Sequence, residues 1–163
     1  MAEKQSTPLG PAGGVLKDNV RRIREAQRLT YVELSERLAR VGRPIPVLGL
    51  RRIERGERRV DVDDLLALAH VLSAHPVDLL VSAAAAGTDP YSVTPVVETT
   101  TATAREWIGG TAFLVAPETP MEFALAIQSM PKERAQAASR AWFTPERQAE
   151  WNQQALHADQ DES

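Results

Sequence analysis

The chain has 163 residues, enough for one domain or for one small domain with an appendage. It contains no cysteine, which excludes a disulfide framework, a thiolate metal site and a cysteine nucleophile, and fits a reducing cytoplasm. The net charge of −3 is unevenly spread: residues 15–80 carry 13 Arg and Lys against 10 Asp and Glu, residues 81–163 carry 5 against 11, and Arg37–Arg59 alone holds eight arginines and two glutamates.

With 43% apolar and 25% charged residues the composition is that of a globular protein. No apolar run approaches the ~18 residues that would span a bilayer, and the first residues lack the apolar core of a signal peptide. The expectation is a cytoplasmic protein with no membrane partner and no cofactor.

Residues 1–14 are polar and rich in Gly and Pro, and read as a flexible arm. A first helix is predicted over 15–27, with Leu16, Val20 and Ile23 on one face and Arg21, Arg22 and Arg24 around the rest. Thr30 and Glu33 have the spacing of a capping box for a second helix, whose core stripe is Leu34 and Leu38. Gly42, Pro44 and Pro46 make a loop, with Pro46 placed as the first residue of a third helix that ends at Gly56.

That third helix has two apolar anchors, Leu50 and Ile53, with Arg51, Arg52 and Arg55 on its other faces. A buried face behind and arginines in front suit an element presented to phosphate. A fourth helix starts at Asp61, with Asp63 and Asp64 in its first turn, and is expected to bury Leu65, Leu66, Leu68, Ala69 and Leu72. Pro76 opens a fifth helix carrying Val77, Leu79 and Leu80.

Taken together, Leu34 and Leu38, the run Ile53 to Gly56, the run Asp64 to Ala69, and the run Pro76 to Leu80 resemble the Xre/Cro-type helix-turn-helix family of phage and bacterial repressors. The resemblance covers residues 15–81, roughly 40% of the chain. It implies a mainly α fold: an N-terminal five-helix, lambda-repressor-like domain whose third helix, near 46–54, enters the major groove of double-stranded DNA while the second lies across the backbone. It also implies a structural ion pair between Arg24 and Glu54.

The chain departs from the family pattern in three places. The turn before the third helix is longer by about five residues, Tyr31 stands where a polar residue commonly opens the second helix, and Val47, Leu48 and Gly49 stand where base-reading polar side chains often sit. Gly49 suits either close approach of the backbone to DNA or close packing against the second helix. Val47 suits a thymine methyl or the core. Arg51 and Arg52 are the candidates for base edges or phosphate; Arg43, Arg55, Arg58 and Arg59 are the candidates for phosphate contacts that set register.

Residues 82–100 read as a linker or extended segment, followed by a smaller, mostly helical region over 101–156 with short extended segments and an acidic tail over 157–163. In that region Thr103 is expected to cap a short helix with Trp107 and Ile108, and 112–115 to be a strand or extended. Thr119, Pro120 and Glu122 open a helix through Phe123, Ile127 and Met130; another follows Pro131, and a last one from Thr144 carries Trp151. Seven of the eight aromatics lie from Tyr91 onward, as a second core, a homodimer surface or a ligand pocket.

Enzymatic signals are weak. Lys132 with Ser129 or Ser139 is the only serine–lysine arrangement of the second half, and His70, His75 and His157 have no metal-ligand spacing. His70 reads as a partly buried packing residue. The expected function is a DNA-binding transcriptional regulator, a repressor by family analogy, with an antitoxin-like or adaptor protein that binds a protein partner as the rival.

Overall fold

The computed structural model describes residues 8–147 and residue 149. Among these the chain is mainly helical, with one two-stranded sheet. It divides into two compact units, one through Leu114 and one from Val115. The first seven residues, Trp151 and the tail 157–163 lie outside the described residues.

The first unit opens with α1 (Pro11–Ala26), α2 (Tyr31–Arg40), α3 (Val47–Glu54), α4 (Val62–Val71) and α5 (Pro76–Leu80). Local chemistry sets their starts. Thr30 Oγ1 accepts from Glu33 N at 3.2 Å while the Glu33 carboxylate accepts from Thr30 N at 2.8 Å, which closes a reciprocal capping box. Asp61 caps α4 by accepting from Asp64 N at 2.7 Å. Pro46 is the cap residue of α3, one place before its first helical residue. The helix α1 begins at Pro11, so residues 11–14, expected in the arm, are helical. Proline's fixed φ suits the first helical position, and Leu9 lies against Gly13 and Gly56, where no side chain intervenes.

The ends of α1 to α4 share one device. After α2, Gly42 has φ +79° and donates to Ala39 O, while Arg43 N donates to Leu38 O at 3.0 Å. This is a Schellman closure. It recurs after α3 at Gly56, after α1 at Arg28 and after α4 at Ser73, the last two being non-glycine residues with φ 55° and 50°.

The five helices enclose one core, with Leu16, Val20, Leu34, Leu38, Leu50, Ile53, Leu68, Leu72 and Leu79 all buried. Ile45, from the long turn, is buried among them and its carbonyl accepts from Ser35 Oγ at 2.7 Å. Leu66 departs from expectation at 53% exposed. The helical period directs Leu65, Leu68, Ala69 and Leu72 inward and turns Leu66 away. His70 is exposed, on the outer side of the same helix.

The unit does not stop at 81. Strands β1 (Pro90–Thr94) and β2 (Val97–Thr100) form an antiparallel hairpin, followed by α6 (Thr101–Gly109). Buried Val81, Tyr91 and Ala104 make a second cluster with Val15, Val77, Leu80, Val93 and Ile108. Tyr91 donates its hydroxyl to Leu80 O at 2.9 Å, and Arg105 pairs with Asp78 at 2.7 Å and donates to Val81 O at 3.0 Å. The cap of α6 is Thr100, which accepts from Thr103 N; Thr103 itself lies inside the helix. Residues 112–115 form no strand.

The second unit contains α7 (Pro120–Ile127) and α8 (Lys132–Trp142). Thr119 accepts from Glu122 N at 3.2 Å, and Glu122 accepts from Glu118 N. Phe123 and Trp142 are buried and stacked with centroids 4.2 Å apart; Phe143 meets both edge-on. Trp142 Nε1 donates to Pro117 O. A few aromatic rings thus supply the core of this unit.

Candidate nucleic-acid interface

The helix α3 is held from behind and exposed in front. Leu50 and Ile53 are each 1% exposed on its inner side. On the outer side Leu48, Arg51, Arg52 and Arg55 are exposed, and Val47 is half-buried.

Behind α3, Glu54 is the centre of a buried polar group. Arg24 Nε reaches Glu54 Oε1 at 2.7 Å and Arg24 Nη2 reaches Oε2 at 2.9 Å, while Arg24 Nη1 donates to Leu29 O. Tyr31 donates its hydroxyl to Glu54 Oε2 at 2.8 Å, and its ring lies 4.2 Å from the Arg24 guanidinium carbon. Hydrogen bonding to Glu54 raises the Arg24 pKa above its ordinary value. Burial, followed by donation to Glu54, raises the Tyr31 phenol. Tyr31 thus stands where it does because it completes this group.

The arginines read from the sequence as phosphate contacts separate into two classes. Arg43 is half-exposed and turned to the start of α4: Nε donates to Asp64 Oδ1 at 2.8 Å, Nη2 to Asp61 Oδ2 at 2.7 Å, and Nη1 lies 3.8 Å from Asp63. The Asp64 hydrogen bond raises the Arg43 pKa. The backbone N–H of Asp64, then Arg43, holds the Asp61 carboxyl below its usual range. Arg58 takes the other Asp64 oxygen at 2.7 Å. Asp64 itself is 1% exposed.

The others face outward. Arg51 is exposed with its guanidinium carbon 5.3 Å from the Tyr31 ring centre, a cation–π arrangement. Arg52 is exposed with no ion-pair partner among the described residues. Arg55 pairs with Glu57 at 2.8 Å, and Arg59 donates to Pro8 O at 2.9 Å. Arg37 and Arg40, in the last turn of α2, are also exposed and without ion pairs among the described residues. Sequence reasoning placed them in the basic run but not among the site residues; the Leu34–Leu38 stripe was the signal that turns them outward.

The groups nearest to Gly49 come from Arg58, Ile45 and Pro46 rather than from α2. A Cβ there would lie 2.9 Å from Arg58 Nη1 and 3.1 Å from Ile45 Cγ2. The missing side chain makes room for Arg58 on its way to Asp64.

Among the described residues no group of His, Asp and Glu could hold a metal ion, and no helix is long and apolar enough to cross a membrane. Ser139 donates its hydroxyl to Ala135 O, inside its own helix. Comparison of the chain with family models, with curated proteins and with solved structures finds no match.

Proposed function

We propose that the chain is a sequence-specific DNA-binding transcriptional regulator of the lambda-repressor-like kind, acting in the cytoplasm, with α3 in the major groove. The observation that carries this reading is the two-sided character of α3. Its inner face is fixed by Leu50, Ile53 and the Arg24–Glu54 pair, and its outer face offers Leu48, Arg51, Arg52 and Arg55. Arg51 and Arg52 address base edges, and Arg37, Arg40, Arg55 and Arg59 address phosphates. Repression by occlusion of a promoter, and a homodimer matched to a two-fold operator, complete the reading.

The test is a fluorescence-anisotropy titration against a duplex from upstream of the protein's own gene, with an unrelated duplex as control. The upstream duplex should bind more tightly. Its affinity should fall on the order of 10³-fold between about 50 and 200 mM salt, as expected for roughly six phosphate contacts. Absence of binding at low salt would remove the reading.

A second reading has its own support. Leu48 is 54% exposed at the start of α3, and Met121 and Leu125 of α7 are 70% and 59% exposed. Such apolar exposure suits an adaptor or antitoxin-like chain that binds a protein partner. In that case DNA binding is undetectable for the chain alone.

A further inference from the structure

We propose that Arg43 and Arg58 are positioning residues that hold α3 through Asp64 and make no phosphate contact of their own. This rests on the DNA-binding reading and reassigns two of the arginines that the sequence had placed on phosphate.

The two arginines lie on either side of α3 in the chain. Arg43 comes from the turn that enters the helix and Arg58 from the loop that leaves it. Both end on one buried carboxylate, Asp64, each on its own oxygen, at 2.8 and 2.7 Å. The segments flanking α3 are thereby fastened to the first turn of α4. Withdrawing either arginine toward solvent leaves the buried carboxylate short of a partner, which is costly.

Local charge argues the same way. Arg43 and Arg58 face three carboxylates, Asp61, Asp63 and Asp64, so the group is formally −1. A phosphate brought to it meets net repulsion. Arg58 also crosses α3 at Gly49, the residue where a side chain would collide with it. Its guanidinium is therefore packed on the backbone of the helix it secures.

Two measurements on the full chain test the proposal: duplex affinity against salt concentration, and amide hydrogen exchange of the free protein. The variants are Arg58→Ala, Asp64→Asn, Gly49→Ala and, as a reference for an outward arginine assigned to phosphate, Arg40→Ala. Arg40→Ala should lower the slope of log affinity against log salt by about 1. Arg58→Ala should leave that slope unchanged, weaken binding about tenfold, and speed exchange of the α3 amides about tenfold relative to α1.

Asp64→Asn gives the decisive sign. It removes a negative charge and frees two arginines, so phosphate-binding arginines would make it bind DNA more tightly. Positioning arginines make it bind more weakly. Gly49→Ala keeps every charge, so it serves even where Asp64→Asn folds poorly, and should weaken binding at an unchanged slope. Tighter binding by Asp64→Asn, a lost unit of slope in Arg58→Ala, or wild-type exchange and affinity in Gly49→Ala overturns the proposal. If the wild type binds no duplex, the DNA reading falls. Exchange alone then decides: faster α3 exchange in Arg58→Ala supports the positioning role, and unchanged exchange rejects it.

Discussion

Arg24 grips both carboxylate oxygens of Glu54, at 2.7 and 2.9 Å, and so ties α1 to α3 through a pair with side chains only 10% and 4% exposed. Removing Glu54 strands Arg24 together with the Tyr31 hydroxyl. Glu54→Ala is expected to cost about 3–5 kcal/mol. The double variant Arg24→Met, Glu54→Leu should recover most of that loss, because no buried charge is left alone. Thermal melts of the three proteins check this; a Glu54→Ala melt within about 2 °C of wild type would contradict it.

The shared helix endings allow a test in both directions. At Gly42 a Cβ would meet nothing within 4 Å, so any loss in Gly42→Ala comes from the φ of +79° alone. That substitution should cost about 1 kcal/mol. At Ser73, which holds φ 50° with a side chain, Ser73→Gly should gain a few tenths to about 1 kcal/mol. Urea unfolding of the two variants measures both signs.

Both tyrosines titrate high through burial, and Tyr31 has a further cause. Burial raises the Tyr91 phenol, and burial with donation to Glu54 raises that of Tyr31. The folded pKa values exceed the unfolded value of 10.0. Their contribution to stability is therefore fully present below pH 10 and is lost as pH rises through the raised values. Phenolate absorbance of the native protein should appear above pH 10, and at lower pH once the chain is unfolded in denaturant. Tyr31→Phe should flatten the alkaline loss of stability.

A chain ending at Val81 should be less stable than one ending at Leu114. The shorter chain uncovers Val15, Val77 and Leu80 and loses the Tyr91 and Arg105 hydrogen bonds to the carbonyls of Leu80 and Val81. Paired melts of the two truncations measure the difference. Equal melting would mean that the hairpin and α6 add nothing to the five helices.

What could be read from the sequence follows from the range of the interactions. The starts of α2, α4, α5 and α7 are set by a cap or a proline within four residues, and those signals are local. The inward face of α3 follows from the spacing of Leu50 and Ile53. The destinations of Arg43 and Arg58 do not: the contacts with Asp64 cross 21 and 6 residues and depend on how α4 docks. The extent of the first unit was hidden in the same way. An Ala-rich stretch after Val81 looks like a linker, and only the fold shows Tyr91 returning to Leu80. Leu66 misleads because composition near it is uniformly apolar, whereas its direction is set by period alone.

The passage of Arg58 over Gly49 makes these two positions a single unit of change. Any residue larger than glycine at 49 demands a shorter or displaced side chain at 58, since a Cβ would lie 2.9 Å from the guanidinium. Diversifying the outer face of α3 is therefore easier at 48, 51, 52 and 55 than at 49. A library that randomises all five positions with Arg58 kept should return glycine at 49 in its folded members, and that preference should weaken once 58 is shortened to alanine, with the Ile45 contact at 3.1 Å remaining.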